Sequence, residues 1–361
     1  MIKGLKVSIF LLSVTTIGFL VKYVLKSSNV AYFSYSIEEN TGHDSKTTCT
    51  VAQDKVIETS SEQIHSTKRT LEDVLSHGDN IIFLETTDRM QLPSLVLCAI
   101  ESAARAYPDR HVVFLMKGLT HANSEDDGKM ALRHYPTISH FNNIHIYPLI
   151  MEQLFSDTPL LSWYMKVNTT QERFWTHVTA DGCRLAAIWK YGGIYMDSDI
   201  ISIRPIPDHN FLAAEGDQDS SNGVFGFFPK HNFTWTCMED FVKKYKYSAW
   251  GNQGPILFSR ILKTQCSLPN FKGVEDIICG NITFLHPNRF YPISYPAWRQ
   301  YYVVWDKLPT FNDSHALHLW NYMNHDKIAM VPGSKTLVEH LYQKHCPSTY
   351  TAIQRNASTY I

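Results

Sequence analysis

The sequence predicts an α/β domain whose mostly parallel central sheet is flanked by helices. An N-terminal transmembrane helix and a polar stem precede it. Three observations lead there. Short β-branched and aromatic runs alternate with helix-length stretches after Ile81, and strand–helix–strand order places parallel strands side by side. An uncharged run occupies residues 7–21 near the start. Between these lies a region, 27–76, rich in Ser, Thr, Glu and Asp, which cannot bury enough apolar surface to fold alone.

The anchor comes first. Lys3 and Lys6 precede the uncharged run, and Lys22 and Lys26 follow it. A full span needs about 20 apolar residues. The segment 7–26 reaches that length if Lys22 snorkels to the interface. No small-x-small cleavage site follows, so a signal anchor is favoured over a cleaved signal peptide. The terminal amine, Lys3 and Lys6 favour a cytoplasmic tail over residues 1–6. That is a type II orientation, and the short span suits an early-secretory or Golgi membrane. In the stem, residues 71–75 start a short helix, and Cys49 stands alone.

Residues 77–350 suit one large α/β domain, followed by a tail over 351–361. Residues 81–85 read as a buried strand and 95–106 as a helix ended by Pro108. Residues 111–116 and 144–149 read as two further strands. In open parallel sheets, ligands bind at the carboxyl ends of strands. Glu85 and Thr86 open such an end. A nucleotide-facing loop and an ordinary polar loop are equal readings there.

The rest of the domain is organised around residues 177–203. A helix over 177–191 ends at Gly192-Gly193, because glycine takes the backbone a helix terminus needs. Residues 194–196 then form a short buried strand that delivers Asp197 and Asp199. In extended chain, residues i and i+2 point to one side, about 7 Å apart at Cα. Two such carboxylates converge on one divalent cation. Oxygen donors favour magnesium, calcium or manganese over zinc, and a diphosphate fills the open positions. A solvated loop is the bland alternative, but carboxylates ending an apolar strand are costly unless used.

Other candidates have two readings each. Asp181 and Arg184 lie one helical turn apart, either as a surface ion pair or aimed at a ligand. Asn222 either hydrogen-bonds a ligand or forms an Asn-Gly turn, which local sequence favours. Gln253 lies in the glycine-rich stretch 250–255. His318 sits on an apolar run, where histidine is more often structural than a ligand. The aromatic residues at 290–305 are mostly core, with an acceptor-stacking platform as the alternative.

Asp181-x-x-Arg184-x-x-x-Ile188-x-x-x-Gly192-Gly193-x-Tyr195-x-Asp197-x-Asp199 resembles the core signature of retaining glycosyltransferases with a DXD sugar-binding region. Within that group the chain resembles the Golgi alpha-1,4-glycosyltransferases, from about residue 81 to 347. The resemblance implies a GT-A fold, a UDP-sugar donor and usually Mn2+. It implies that Glu85 and Thr86 border the uridine, and that Asp181 and Arg184 contact donor sugar hydroxyls. Asn222 then faces the sugar pocket, Gln253 orients donor or acceptor, and His318 joins Asp197 and Asp199 at the cation or diphosphate. Asp181, Asn222 and Gln253 become the candidates for stabilising charge at the anomeric carbon. Retention follows either from attack on the face the UDP leaves or from double displacement.

The stretches 195–196, 201–207, 250–255 and 316–321 look more like the N-acetylglucosaminyl branch than the galactosyl one. The first implies UDP-GlcNAc and an acceptor ending in β-galactose on mucin-type O-glycans. The second implies UDP-galactose and a lactosylceramide-type glycolipid. Cys183, Ser198 and the charged stretch 215–219 depart from the family pattern. Two non-enzymatic readings stay open, an inactive sugar-binding protein and a calcium-binding adhesion module.

None of the seven cysteines forms a Cys-x-x-Cys pair, so zinc is not expected. Cys266 and Cys279 are the expected local disulfide; Cys98, Cys237 and Cys346 leave a remainder. Sequons at Asn168, Asn232, Asn281, Asn312 and Asn356 suit a lumenal domain. A formal net charge of −1 offers no case for nucleic acid.

Overall fold

The computed structural model describes residues 70–119 and 125–360. The expected tail, anchor, most of the stem and Cys49 lie outside the described residues. Among those described, no helix is long and apolar enough to cross a membrane.

The strands follow in order as β1 (Ile81–Glu85), β2 (Val112–Met116), β3 (Ile144–Pro148), β4 (Gly193–Met196), β5 (Ile200–Ser202), β6 (Phe211–Gly216), β7 (Asp219–Phe227), β8 (Ile277–Cys279), β9 (Ile282–Leu285) and β10 (Ala316–His318). Eight of them build one sheet in the order β3-β2-β1-β4-β7-β6-β9-β8. Along β3-β2-β1-β4 every pairing is parallel. β7 runs antiparallel to both β4 and β6, so the far half of the sheet is mixed. Every residue of β1 and β2 is buried. Strands covered on both faces read as unbroken apolar runs, which is why residues 81–85 and 112–116 are plain in the sequence.

Helices cover both faces. They are α1 (Leu71–Leu75), α2 (Ser94–Ala106), α3 (Glu125–Leu132), α4 (Met151–Phe155), α5 (Leu160–Tyr164), α6 (Trp175–Tyr191), α7 (Asn232–Lys243), α8 (Pro255–Gln265), α9 (Leu337–His345) and α10 (Pro347–Gln354). On one face, Phe155, Ala187, Phe225 and Phe258 share a core. On the other, Ile100, Phe114, Tyr135 and Met196 share a second. Thr70 caps α1 with a reciprocal bond to Asp73, and Val74 and Leu75 are buried in the first core. The folded unit therefore starts inside what composition assigned to the stem. The tail expected from residue 351 likewise starts inside α10.

Two links set the positions that matter below. α6 ends at Gly192, and Gly193 continues with φ +93°. A Cβ on Gly193 would lie 2.2 Å from the Asn80 carbonyl oxygen, so only glycine lets β4 start beside residue 80. Further on, β10 pairs antiparallel with β5, placing His318 opposite Ile200. That pairing brings a residue from late in the chain against the two aspartates. Behind the sheet, Cys98 of α2 is bonded to Cys346, and Cys266 to Cys279 as expected. Cys183 and Cys237 are free and buried.

Candidate active site

β4 ends at the floor of a cavity of about 440 Å3, lined by Asp181, Arg184, Asp197, Asp199, Asn222 and His318 among others. Each aspartate of the pair has one oxygen held by the protein and one facing His318. Asp197 Oδ1 accepts from the Tyr195 hydroxyl at 2.6 Å and pairs with Arg184 Nη1 at 3.0 Å. Its Oδ2 lies 3.8 Å from His318 Nε2. Asp199 Oδ2 accepts the Asn321 N–H at 2.8 Å, while Oδ1 lies 3.3 Å from the same Nε2. One ligand atom from each of the three residues thus falls within 4.8 Å of the others.

Arg184 is the centre of the charge network. It is buried on α6, donates to the Asn222 carbonyl at 2.8 Å, and stacks over the Tyr195 ring at 4.6 Å. Its Nη2 lies 3.6 Å from Asp181 Oδ1. Asn222 donates its amide to that same oxygen at 2.7 Å. Burial alone would raise the Asp197 pKa, but Arg184, His318 and Tyr195 together hold it below the ordinary carboxylate value. Asp181 goes the other way: burial lifts it to about 6, against the pull of Arg184 and Asn222. Burial would lower His318, and the Asp199 and Asp197 carboxylates outweigh it and raise its pKa.

The donor set fits a divalent cation. Asp181, Asp197, Asp199 and Glu215 line the cavity against one guanidinium and the imidazoles of His177 and His318, so the cluster is short of positive charge. Two oxygens and one imidazole nitrogen leave further coordination positions open. Gly223 keeps the space: a Cβ there would lie 2.9 Å from Asp197 Oδ2 and 3.5 Å from His318 Nε2. Nδ1 of His318 accepts the Trp320 N–H at 3.2 Å, which leaves the proton of the neutral ring on Nε2. A cation at Nε2 must displace that proton.

The structure thus unites Asp181, Arg184, Asp197, Asp199, Asn222 and His318, and separates others. Asn222 lies inside β7, not in a turn; its side chain is committed to Asp181, and the reversal falls at Asp217-Gln218 instead. Gln253 lines the cavity but is almost fully buried. Its amide donates to the Phe241 carbonyl at 2.9 Å and accepts from Asn252, so it shapes its loop. Glu85 is likewise occupied, accepting from Thr87 and pairing with Arg89. Thr86 lines a separate cleft of about 230 Å3 with Lys117 and Trp175. Of the aromatic residues at 290–305, Phe290, Tyr291, Trp298 and Tyr301 are core, whereas Tyr295 lines the cavity.

Residues 93–218 match the glycosyltransferase sugar-binding region containing a DXD motif. Residues 226–353 match the alpha 1,4-glycosyltransferase conserved region. A human alpha-1,4-N-acetylglucosaminyltransferase is 55% identical over 78% of this chain and 82% of its own length. The chain belongs to the alpha-1,4-glycosyltransferases.

A gorilla lactosylceramide 4-alpha-galactosyltransferase is 36% identical over 77% of this chain and 86% of its own. The rat protein of that name is also 36% identical, over 77% of each. Among solved structures, a galactosyltransferase LgtC complex with donor and acceptor sugar analogues gives a TM-score of 0.38 at 13% identity. It covers 78% of this chain and 97% of that one. As an alpha-1,4-glycosyltransferase, the chain is an enzyme that takes a nucleotide-sugar donor and a glycan acceptor. Its mixed sheet and flanking helices are the GT-A-like arrangement expected of it.

Sequence reasoning missed three participants in this glycosyltransferase site. Tyr195 stands in the signature with no role assigned to it, although its place two residues before Asp197 puts both on one side. Gly223 had a signal, since glycine inside a strand marks a close approach. Tyr322 had none, because it reaches the cavity only through the β5–β10 pairing.

Proposed function

We propose that this chain transfers N-acetylglucosamine from UDP-GlcNAc, with retention, in alpha-1,4 linkage to terminal β-galactose on mucin-type O-glycans. The observation that carries the reading is the convergence of Asp197 Oδ2, Asp199 Oδ1 and His318 Nε2 at the floor of a sugar-sized cavity. The donor sugar rests on the 55% identity to the human N-acetylglucosaminyl enzyme against 36% to the galactosyl ones.

Asp197, Asp199 and His318 would hold a divalent cation, which we take to be Mn2+, and the bound ion supplies positive charge against the departing UDP. The chain does the rest. Tyr195 and Arg184 fix Asp197, and the Asn321 N–H fixes Asp199, so both carboxylates are oriented before the donor arrives. Asp181, steadied by Asn222, faces the same cavity and offsets positive charge developing at the anomeric carbon. The uncharged run at 7–21, the five sequons and the two disulfides support a type II Golgi membrane protein with a lumenal catalytic domain.

The test is transfer by the full-length chain in detergent, with Mn2+ and a β-galactoside acceptor. N-acetylglucosamine transfer that Asp199→Ala abolishes is expected. Transfer from UDP-galactose alone would move the chain to the galactosyl branch. Mn2+-dependent UDP binding with no transfer across an acceptor panel would make it a sugar-binding protein.

A further inference from the structure

Two walls rise from the carboxylates to the mouth of the cavity. One is the loop 249–254 between α7 and α8, bearing Trp250. The other is the short 3-10 helix Asn321–Met323, bearing Tyr322. Their rings stack with centroids 4.3 Å apart and planes 15° from parallel. His177 of α6 stands edge-on to both, at 4.9 and 5.1 Å. Phe174 backs Trp250 at 5.1 Å. Even so, Trp250 and Tyr322 each keep 46% of their surface exposed. Large rings held this firmly normally serve as core; these are held firmly at a wet rim.

Both walls are bolted to the reaction floor. The Asn321 N–H holds Asp199 at 2.8 Å. Gly254 lies so close to Asp181 that a Cβ there would stand 2.8 Å from Oδ2. The stack is therefore fixed relative to the carboxylates. The cavity has two chemically different ends: a floor of carboxylates, guanidinium and imidazole, and a mouth of aromatic rings. The floor suits a nucleotide-sugar and its cation, which leaves the mouth to the second substrate.

We propose that the Trp250–Tyr322 stack is the acceptor subsite, taking the apolar face of a terminal β-galactose. This rests on the transfer reading above. A pyranose hides its C–H face on aromatic rings and keeps its hydroxyl edge wet. In galactose the C–H bonds at carbons 3, 4 and 5 share one face, and the axial 4-hydroxyl points away from that face. A galactose lying on the stack turns its 4-OH off the rings. Glucose, whose 4-OH is equatorial, presents a different face and a displaced oxygen. The stack thus selects the sugar and aims the attacking oxygen.

The test compares full-length wild type with Trp250→Ala, Trp250→Phe and Tyr322→Ala, using a β-galactoside and its β-glucoside epimer. Acceptor KM rises about tenfold in the alanine variant of the ring whose outer face carries the sugar, the effect of losing one stacking contact, and by less in the other, which loses the backing ring; Trp250→Phe keeps KM near wild type. The preference for galactoside narrows. KM for the donor and Mn2+-dependent UDP binding stay within about twofold, which also shows that the variants fold. Calorimetric titration of the β-galactoside in the presence of UDP and Mn2+ reads acceptor binding without turnover. Wild-type galactoside binding that the alanine variants weaken supports the subsite even if no N-acetylglucosamine is transferred, in which case the transfer reading alone fails. Unchanged acceptor KM or binding in both alanine variants overturns the subsite. So does a donor KM that shifts as far as the acceptor KM, or a wild type that binds no β-galactoside.

Discussion

The Tyr195 hydroxyl donates to Asp197 Oδ1 at 2.6 Å, two residues along the same strand end. With Arg184 on that oxygen too, Asp197 has a single free oxygen, and it faces His318. Tyr195 thus acts as a positioning residue for the cation site. Tyr195→Phe weakens Mn2+ binding by about tenfold or more, in line with other lost outer-shell contacts to metal ligands. Activity returns at raised Mn2+. Titration of the metal, followed by calorimetry, checks this; an unchanged affinity would refute it.

Gly223→Ala places a methyl beside Asp197 Oδ2 and His318 Nε2. Alanine fits the strand backbone, so the fold survives and the cost falls on the space between the ligands. An overpacked site loses about 1–3 kcal/mol, or roughly 10- to 100-fold in Mn2+ affinity. Circular dichroism and metal titration on the same sample separate the two effects.

Asp181 is held ionised at a cost to stability. Its folded pKa of about 6 stands above the unfolded 3.8 because of burial. The folded state therefore binds the proton more tightly, and this group's contribution declines as pH rises from about 3.8 to about 6. Asp181→Asn removes the buried charge. At pH 7.5 it should stabilise the protein by up to about 3 kcal/mol, with the gain fading near pH 4. Turnover falls at least about tenfold. Urea unfolding at the two pH values tests the sign, and a variant less stable than wild type at pH 7.5 would contradict it.

Glu101 is a stability prediction remote from the chemistry. Fully buried on α2, it accepts from the Ser348 and Thr349 N–H groups and the Thr349 hydroxyl at 2.8–2.9 Å. It also pairs with Arg105. Glu101→Ala strands these donors and should cost about 3–5 kcal/mol, while Glu101→Gln costs less. Denaturant midpoints measure the loss; activity per folded molecule should hold.

What could be read in advance follows the physics of each element. β1 and β2 declared themselves because burial on both faces leaves no polar alternation, while β3 was read from its β-branched and aromatic residues around a buried His145. The Asp197–Asp199 pair was legible because it ends such a strand beside Gly192 and Gly193. Asn222 was legible through the resemblance and not locally, where Asn-Gly favours a turn; it lies inside β7 and bonds to Asp181. Gln253, a polar residue among glycines, does line the cavity, with its amide bonded to the Phe241 carbonyl behind it. Cys266–Cys279 could be guessed from proximity, but Cys98–Cys346 could not, at a separation of 248 residues.

That last bond makes the enzyme a ring. In a chain-entropy description, closing so long a loop restricts the unfolded chain by about 5 kcal/mol. It also sets an order of events. Cys98 is synthesised well before its partner, with the thiols of Cys183 and Cys237 made in between. Both end up buried and unpaired. Burial in α6 and α7 keeps these two thiols from reaching Cys346 in the folded chain. A chain stopped short of Cys346 would retain both aspartates, His318 and the aromatic rim, but would remain an open thread.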